Sequence, residues 1–277
     1  MRETILGNHI RKVPSVAVGC MRLSEKSKDE MNHFIHAALE QGAYFFDHAD
    51  IYGGGMSESV FGEAFADDPS IKREDIYLQS KCGIRQGFYD FSKEHILKSV
   101  DGILKRLHTD YLDLLLLHHP GNGDVAAYRT LEKAVEEEAV RSIGLSNWYI
   151  KELTEFLPQV DVVPALVQNE IHPFYQDRDV VPFIQDKGIV VQAWFPLGGR
   201  GWTKSVLGNP IIAKIAEAHG KSAAQVVLRW NLQRNVSVIP GSSNPAHIKE
   251  NTEIFDFELS DSDMKAIAAL DRHEKHE

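Results

Sequence analysis

Short apolar segments alternate with longer amphipathic segments along almost the whole chain. The short segments are rich in β-branched, leucine and aromatic residues, which is typical of strands. Eight of them are predicted to be strands: Ser15–Cys20, Tyr44–Asp47, Ile76–Lys81, Leu112–His118, Arg141–Ser146, Leu166–Asn169, Ile189–Trp194 and Val236–Ile239.

The longer segments have the period of an amphipathic helix. Ser92 is a plausible helix start, and Ser222 with Gln225 three residues later has the pattern of a capping box. In the segment Lys93–Leu107, one face carries the apolar residues Ile96, Val100, Ile103, Leu104 and Leu107.

Regular alternation of strand and helix predicts parallel strands joined by right-handed crossovers. Eight such units suit an α/β fold of the (β/α)8 TIM-barrel type, whereas an open doubly wound sheet usually has fewer strands. The unit length of about 30 residues fits either architecture. Since no linker or change in composition divides the chain, residues 1–277 are predicted to form one domain. The segment Glu3–Val13, around Gly7-Asn8, is predicted to be a hairpin.

The composition narrows the function classes. The chain has 277 residues, 43% of them hydrophobic, and a net charge of −10, which argues against nucleic-acid binding through phosphates. Its apolar runs, such as Leu114–Leu117, are too short to span a bilayer, and residues 1–20 contain no apolar core typical of a signal peptide. With only Cys20 and Cys82, no disulfide framework is expected, and Cys82 is read as a buried filler rather than a reactive thiol. We therefore expect a cytoplasmic monomer without membrane or nucleic-acid partners.

Candidate chemistry lies where four predicted strands end. The segments are Phe45–Gly53, Gln79–Lys81, Leu116–Pro120 and Gly144–Asn147. In this order and spacing they resemble the aldo-keto reductases, NAD(P)-dependent carbonyl reductases built on an eight-stranded barrel. The resemblance extends from about Val16 to Asp271. It implies that the N-terminal hairpin closes the bottom of the barrel.

The resemblance implies a catalytic tetrad of Asp47, Tyr52, Lys81 and His118. Strand ends converge at one mouth of such a barrel, so these residues can meet although they are far apart in sequence. Tyr52 would donate the proton to a carbonyl oxygen that receives charge during hydride addition, Lys81 would lower the phenol pKa, and Asp47 would pair with the lysine. His118 would align the substrate oxygen.

Each of these residues also has a structural interpretation. Asp47 could cap a loop, with Asp50 as a competitor for the acidic role, and Tyr52 could be a packed aromatic residue. His118 and His119 alternate across the strand, so only one of them faces the ligand side. The family pattern selects His118.

The cofactor site follows from the resemblance alone, since no Gly-x-Gly-x-x-Gly follows the first strand. Ser146, Asn147 and Gln168, at strand ends, would bind the nicotinamide carboxamide, and Trp194 would stack on the ring unless it is a core residue. The loop Phe195–Gly201, which includes Leu197, would offer backbone amides to a pyrophosphate.

The adenosine side of the resemblance falls on Ser242, Ser243, His247, Glu250 and Asn251. Many family members have Lys and Arg, which clasp the 2′-phosphate of NADP, at the positions of Gly241 and His247 here. NADP(H) remains the first choice of cofactor, and NAD(H) is a competitor.

The substrate side departs from the family pattern as well. Gly83 and His119 stand where family members often carry aromatic residues, and the chain ends soon after a predicted helix around Asp261–Leu270. An open pocket with a small-molecule carbonyl substrate is expected. No metal is expected.

Two other functions stay open. One is a metal-dependent barrel hydrolase that uses Asp47, His48, His118 and His119, although this leaves Lys81 without a role. The other is a barrel that binds nucleotide without catalysis.

Overall fold

Eight parallel strands form one sheet that closes into a barrel. The computed structural model describes residues 3–5, 12–241 and 244–276. The strands follow one another around the sheet in chain order, and parallel bridges join Val16 to Val238 and Gly19 to Gly241 across the seam between the first and last strands. The seam is also bonded from the Ala17 backbone N–H to the Val238 carbonyl at 2.8 Å. The predicted (β/α)8 architecture is confirmed.

The predicted strands are all present, with ends that differ by a few residues. Two N-terminal strands, β1 (Glu3–Ile5) and β2 (Lys12–Pro14), and a short outer pair, β6 (Ile84–Arg85) and β7 (Phe88–Tyr89), lie outside the barrel. The barrel strands are β3 (Val18–Gly19), β4 (Phe45–Asp47), β5 (Tyr77–Cys82), β8 (Leu114–Leu117), β9 (Ile143–Ser146), β10 (Leu166–Glu170), β11 (Val190–Trp194) and β12 (Val236–Ile239).

Helices surround the barrel and cover its outer face. Ser92 accepts a hydrogen bond from the His95 N–H, and Ser222 with Gln225 forms the predicted capping box. None of the helices in the described ranges is both long and apolar enough to cross a membrane. The helices are α1 (Lys28–Glu40), α2 (Met56–Ala66), α3 (Lys93–Arg106), α4 (Asp124–Glu136), α5 (Ile150–Phe156), α6 (Val180–Gln185), α7 (Gly199–Leu207), α8 (Pro210–His219), α9 (Ala223–Gln233), α10 (Pro245–Thr252) and α11 (Asp261–Ala268).

The N-terminal hairpin lies against the bottom of the barrel. β1 and β2 pair antiparallel, while the predicted Gly7-Asn8 turn lies outside the described residues. Tyr44, just before β4, donates its hydroxyl to the Lys12 carbonyl at 3.1 Å. Val13 packs in the same apolar cluster as Ala165 and Leu166 at the start of β10. These contacts close the N-terminal mouth, as expected.

Strand alternation sorts the barrel interior into layers. Phe45, Tyr77 and Leu114 form an apolar layer near the bottom, while their neighbours Phe46, Leu78 and Leu115 pack outward against the helices. Two residues further along, the inward positions of β4 and β5 are polar, at Asp47 and Gln79, whereas β8 has Leu116 there and is followed by a polar residue only at His118. The core therefore supports the barrel from below, and the chemistry is carried at the carboxyl ends of the strands.

Both cysteines are buried and free. Burial raises the pKa of the Cys82 thiol well above its usual value, so the side chain is an uncharged, inaccessible filler, as predicted.

Candidate active site

A turn of three glycines places Tyr52 beside β5. Gly53, Gly54 and Gly55 have φ values of 59°, 65° and 92°, a left-handed conformation that other residues rarely adopt. A Cβ atom at Gly53 would also collide with the side chain of Ser24. The turn therefore needs glycine, and it directs the Tyr52 hydroxyl towards the end of the third barrel strand.

The ammonium group of Lys81 has three hydrogen-bond acceptors around it. Its Nζ lies 2.7 Å from Asp47 Oδ1, 2.8 Å from the His48 carbonyl and 3.1 Å from the Tyr52 hydroxyl oxygen. The lysine side chain is 1% exposed. Since an ammonium has three N–H donors, all three are used, and Lys81 is held at one point between β4 and the glycine turn.

Asp47 is held by a ring of buried amides inside the barrel. Gln79 and Gln168 both donate through Nε2 to Asp47 Oδ1, and both also donate to Gln192 Oε1 at 3.1 and 3.0 Å. Sequence reasoning missed Gln79 and Gln192 as site residues. The sequence did indicate them, because each is a polar side chain at an inward position of an otherwise apolar strand. A polar side chain buried in this way requires a hydrogen-bond partner.

Burial and charge act in opposite directions on Lys81 and Tyr52. For Lys81, burial lowers the pKa, but Asp47, the phenol oxygen and their hydrogen bonds outweigh it, so the pKa is raised and the ammonium persists. For Tyr52, burial raises the pKa by more than the Lys81 charge lowers it. The expected lowering of the phenol pKa by the lysine charge is present, and burial outweighs it.

His118 follows β8 two residues after Leu116, and the predicted alternation with His119 does not hold past the strand end, because the two imidazole rings stack at 5.2 Å between centroids. The pKa of His118 lies well below the usual value because of burial first, then the charges of Lys81 and His119, so the imidazole is neutral. Within the described part of the chain, His118 Nδ1 is buried without a hydrogen-bond partner. The structure therefore brings all four predicted tetrad residues to one mouth of the barrel.

On the opposite side of the mouth, Trp194 is positioned by Asn147. The Trp194 Nε1–H donates to Asn147 Oδ1 at 2.9 Å, and the indole is half-buried rather than enclosed in the core. Asn147 has a left-handed φ of 65° and donates from Nδ2 to the His118 carbonyl at 3.1 Å and towards Ser146 Oγ at 3.3 Å. Gln168 was expected at the end of its strand, but β10 continues two residues further, to Glu170.

The segment after β11 is more ordered than predicted. The expected loop Phe195–Gly201 runs into α7, which begins at Gly199 and is kinked at Arg200 and Gly201. Leu197 is half-buried and packs against the main core. Only the short stretch between Trp194 and Gly199 is a loop.

The described residues of the predicted adenosine site lie on α10, with His247 in its first turn and Glu250 and Asn251 in its last turn. Ser242 and Ser243 lie outside the described residues. His247 is exposed on the first turn of the helix, whereas Asn251 is buried. The backbone carbonyl of Glu250 accepts from Gln225 Nε2 at 3.2 Å, which ties α10 to α9.

A buried acidic pair next to Lys81 was not found from the sequence. Glu58 accepts hydrogen bonds from Ser80 Oγ and, at 2.8 Å, from Arg106 Nε. Asp50 lies nearby, and burial together with repulsion by Glu58 raises its pKa to about 7, although Arg106, a Ser99 hydrogen bond and Lys81 act in the opposite direction. Asp50 is therefore not the lysine's acidic partner.

Among the described residues, one group has the side chains and spacing of a metal site: Glu170, His172 and His276. Both histidines contact Glu170 Oε1, at 2.9 and 2.6 Å. His172 Nδ1 accepts from the Phe174 N–H at 3.2 Å, so its Nε2 carries the proton and has no lone pair for a metal. The hydrogen bonds account for this cluster. The residues proposed for a metal hydrolase, Asp47, His48, His118 and His119, do not form such a group within the described ranges.

The space next to Gly83 is filled by residues further along the chain. A Cβ atom at Gly83 would lie 3.0 Å from Phe91 Cε1. Tyr89 stacks on Phe91 at 6.0 Å between ring centroids and faces His119 at 5.3 Å. Aromatic rings therefore lie beside Gly83 and His119, the two positions that depart from the family pattern.

Residues 15–272 match the model of the Aldo/keto reductase family. The chain is 33% identical to a glyoxal reductase of Bacillus subtilis, with 99% of this chain and 95% of the relative covered. It is 32% identical to an NADP-dependent D-sorbitol-6-phosphate dehydrogenase of Malus domestica, with 94% and 91% covered. A solved aldo-keto reductase from a Medee basin deep-sea metagenome library superposes with a TM-score of 0.87 at 31% identity, covering 99% of this chain and 96% of the other.

Proposed function

This chain belongs to the aldo/keto reductase family, and we propose that it reduces aldehydes or ketones to alcohols with NAD(P)H, using Tyr52 as the proton donor. The observation that supports this most is the geometry of Lys81. Its ammonium donates to the phenol oxygen of Tyr52 at 3.1 Å while Asp47, at 2.7 Å, balances its charge. A lysine that served only the fold would not need a phenol as its third acceptor.

The direction of this hydrogen bond determines where the Tyr52 proton can go. Because the phenol oxygen accepts from Lys81, its own O–H is left to donate to a carbonyl oxygen in the mouth of the barrel. A raised phenol pKa keeps Tyr52 protonated at neutral pH, as a proton donor requires. As charge develops on the tyrosine oxygen after transfer, the adjacent ammonium stabilises it.

His118 would orient the substrate in this reaction. A neutral imidazole can donate one N–H to the carbonyl oxygen without competing with Tyr52 as an acid, and burial keeps His118 neutral. Asp47 does not reach the substrate in this proposal. It keeps Lys81 charged and fixed, and the amides of Gln79 and Gln168 hold the carboxylate in turn.

The residues around Trp194 fit a nicotinamide. The indole edge is fixed by Asn147 while the ring remains partly exposed, so a flat ring can stack there next to the tetrad. A bound reduced nicotinamide supplies the hydride. Ser146 and Asn147 are the proposed partners of its carboxamide, with Gln168 beneath them, and the backbone around Leu197 would face the pyrophosphate.

NADP(H) is the preferred cofactor in this proposal, and NAD(H) is possible. His247, in the first turn of α10, and Lys249, in its last turn, are both exposed and would approach a 2′-phosphate. The similarity to a dehydrogenase named as NADP-dependent supports the same choice. Gly241 contributes no charge, so we expect the preference to be modest. Glu250 and Asn251 would contact the adenine.

The test is turnover of a reactive aromatic aldehyde by the purified protein with NADPH or NADH. The reaction is monitored by the decrease in absorbance of the reduced nicotinamide. Tyr52→Phe should lower kcat by at least about 100-fold, the usual contribution of a positioned acid, while cofactor binding persists. Tyr128→Phe is the matched control, since the Tyr128 hydroxyl is buried in the helix layer without a partner among the described residues. Full activity in Tyr52→Phe would refute the proton-donor role, and a wild-type protein that binds cofactor without turnover would favour the non-catalytic alternative.

A further inference from the structure

A short, tightly turned hairpin stands directly after the third barrel strand. β6 and β7 pair antiparallel, with Ile84 opposite Tyr89 and Arg85 opposite Phe88. The two residues between them, Gln86 and Gly87, both have left-handed φ values, 49° and 84°. Two left-handed residues in a row are typical of the tight turn that matches the twist of paired strands. The hairpin is therefore a well-defined projection at the mouth of the barrel.

Two aromatic residues of this hairpin are exposed but lie on opposite faces. Tyr89 is 58% exposed and Phe88 is 79% exposed. As neighbours on one strand their side chains point in opposite directions. The Tyr89 ring is stacked on Phe91, with an interplanar angle of 13°, and tilts towards His119, so it faces the mouth. Phe88 faces away from this stack.

The stack continues to the tetrad. The rings of His119 and His118 are stacked at 5.2 Å between centroids with an angle of 21°. His119 Nε2 also lies 3.4 Å from the Asn147 amide that positions Trp194. A row of planar rings therefore leads from Tyr89 on the exposed hairpin to His118, the residue proposed to hold the carbonyl oxygen of the substrate.

Charged groups at the hairpin are accounted for by local pairing. Arg85 lies 3.5 Å from Asp90, which in turn accepts from the Ser92 backbone and hydroxyl. The surface that Tyr89 offers to the mouth is consequently the partly exposed face and edge of a ring. This surface suits a flat apolar group better than a phosphate or a carboxylate.

We propose that Tyr89 is a specificity-determining residue that stacks against the ring of aromatic carbonyl substrates while His118 holds their carbonyl oxygen. This inference rests on the proposed reductase activity. It assigns the substrate class, carbonyl compounds with a planar ring close to the reacting carbonyl group. The substrate ring would lie against Tyr89 and His119. Removing the substrate ring from water would stabilise binding in addition to the stacking.

The experiment compares two substrates with the same reacting group, phenylglyoxal and methylglyoxal, which differ in the presence of the ring. The measured quantity is the ratio of their kcat/KM values with NADPH. Tyr89→Ala should lower the phenylglyoxal to methylglyoxal ratio by about two- to tenfold, the range that an aromatic pair contributes. Tyr89→Leu, which keeps bulk but removes the ring, should lower it in the same range. Tyr89→Phe should keep the ratio.

Phe88→Ala is the matched control, since it removes an exposed ring from the other face of the same hairpin. The ratio should stay at its wild-type value in this variant. An unchanged ratio in both Tyr89→Ala and Tyr89→Leu overturns the assignment, as does an equal fall in Phe88→Ala. A wild-type protein that turns over neither substrate, nor any other aldehyde, refutes the reductase proposal itself, so the two failures are distinguishable.

Discussion

Replacing Asp50 with Asn should stabilise the protein, and by more at alkaline than at acidic pH. The carboxyl group is buried beside Glu58, and one of its oxygens has no hydrogen-bond partner among the described residues. Asn has nearly the same shape but no charge to desolvate. The substitution therefore removes the cost of burying a second carboxylate next to the first and leaves the packing intact.

The size of the effect follows from the pKa of Asp50. Burial and the Glu58 charge raise it from 3.8 to about 7 in the folded protein. Between these values the folded state keeps a proton that the unfolded state has lost, so the stability contributed by this group falls as pH rises, by about 1.4 kcal/mol per pH unit. Between about pH 5 and pH 8 the free energy of unfolding of the wild-type protein should therefore fall by about 2–3 kcal/mol relative to that of Asp50→Asn.

Urea unfolding of both proteins at these two pH values measures the difference. Comparing the variant with the wild type at each pH cancels the effect of other groups, such as buried His48, whose pKa is lowered to about 3 by burial and by Lys81. Asp101→Asn, at an exposed position of α3, is the control and should change stability by less than about 0.5 kcal/mol at either pH. An Asp50→Asn effect that is independent of pH, or that destabilises at about pH 8, would show that Asp50 is ionised and paired in the folded state.

Three further changes test the cofactor and tetrad assignments. Asp47→Asn should lower the free energy of unfolding in urea by about 3 kcal/mol, because it leaves Lys81 buried without its charged partner. It should also shift the pH–rate profile of reduction. Full activity with an unchanged profile would make Asp47 purely structural. Trp194→Ala should raise the Kd of NADPH and NADP about tenfold through loss of the stacking face, measured by fluorescence titration, and unchanged affinity would place the indole outside the cofactor site. The double variant Gly241→Lys with His247→Arg should tighten NADPH binding at about pH 8 at least tenfold and leave NADH nearly unchanged, and equal tightening of both would show that the 2′-phosphate is not held there.

The tetrad was predicted from the resemblance to the aldo-keto reductases, and for two of its residues the strand period points to the same positions. Lys81 and His118 lie on the inner face of their strands, two residues beyond inward-facing partners such as Gln79 and Leu116. Once a barrel is assumed, the alternation of side chains shows whether such a residue points into the barrel. Its position at a strand end shows that it lies at the carboxyl-end mouth. The same reasoning placed the eight strands within a few residues of their observed bounds.

Properties that depend on distances between remote segments could not be predicted in this way. Gln79 and Gln192 are joined by a hydrogen bond across 113 residues of sequence, and no local pattern indicates that partner. The net shift in the Tyr52 pKa depends on how far burial exceeds the effect of Lys81, which only the folded environment determines. The hairpin at Tyr89 was missed for another reason, since two strands of two residues each are too short to have a period.

The seam of the barrel has a consequence for how the chain folds as it is synthesised. Ser237 Oγ donates to the Ser15 carbonyl at 2.9 Å, a contact across 222 residues that joins the last barrel strand to the first. A ribosome that makes the chain from its N-terminus will have released nearly all of it before this contact can form. Until then β3 is an unpaired edge, open to pairing with other nascent chains. Ring closure should therefore be among the last steps of folding, and translation that stops before Ile239 leaves an open sheet.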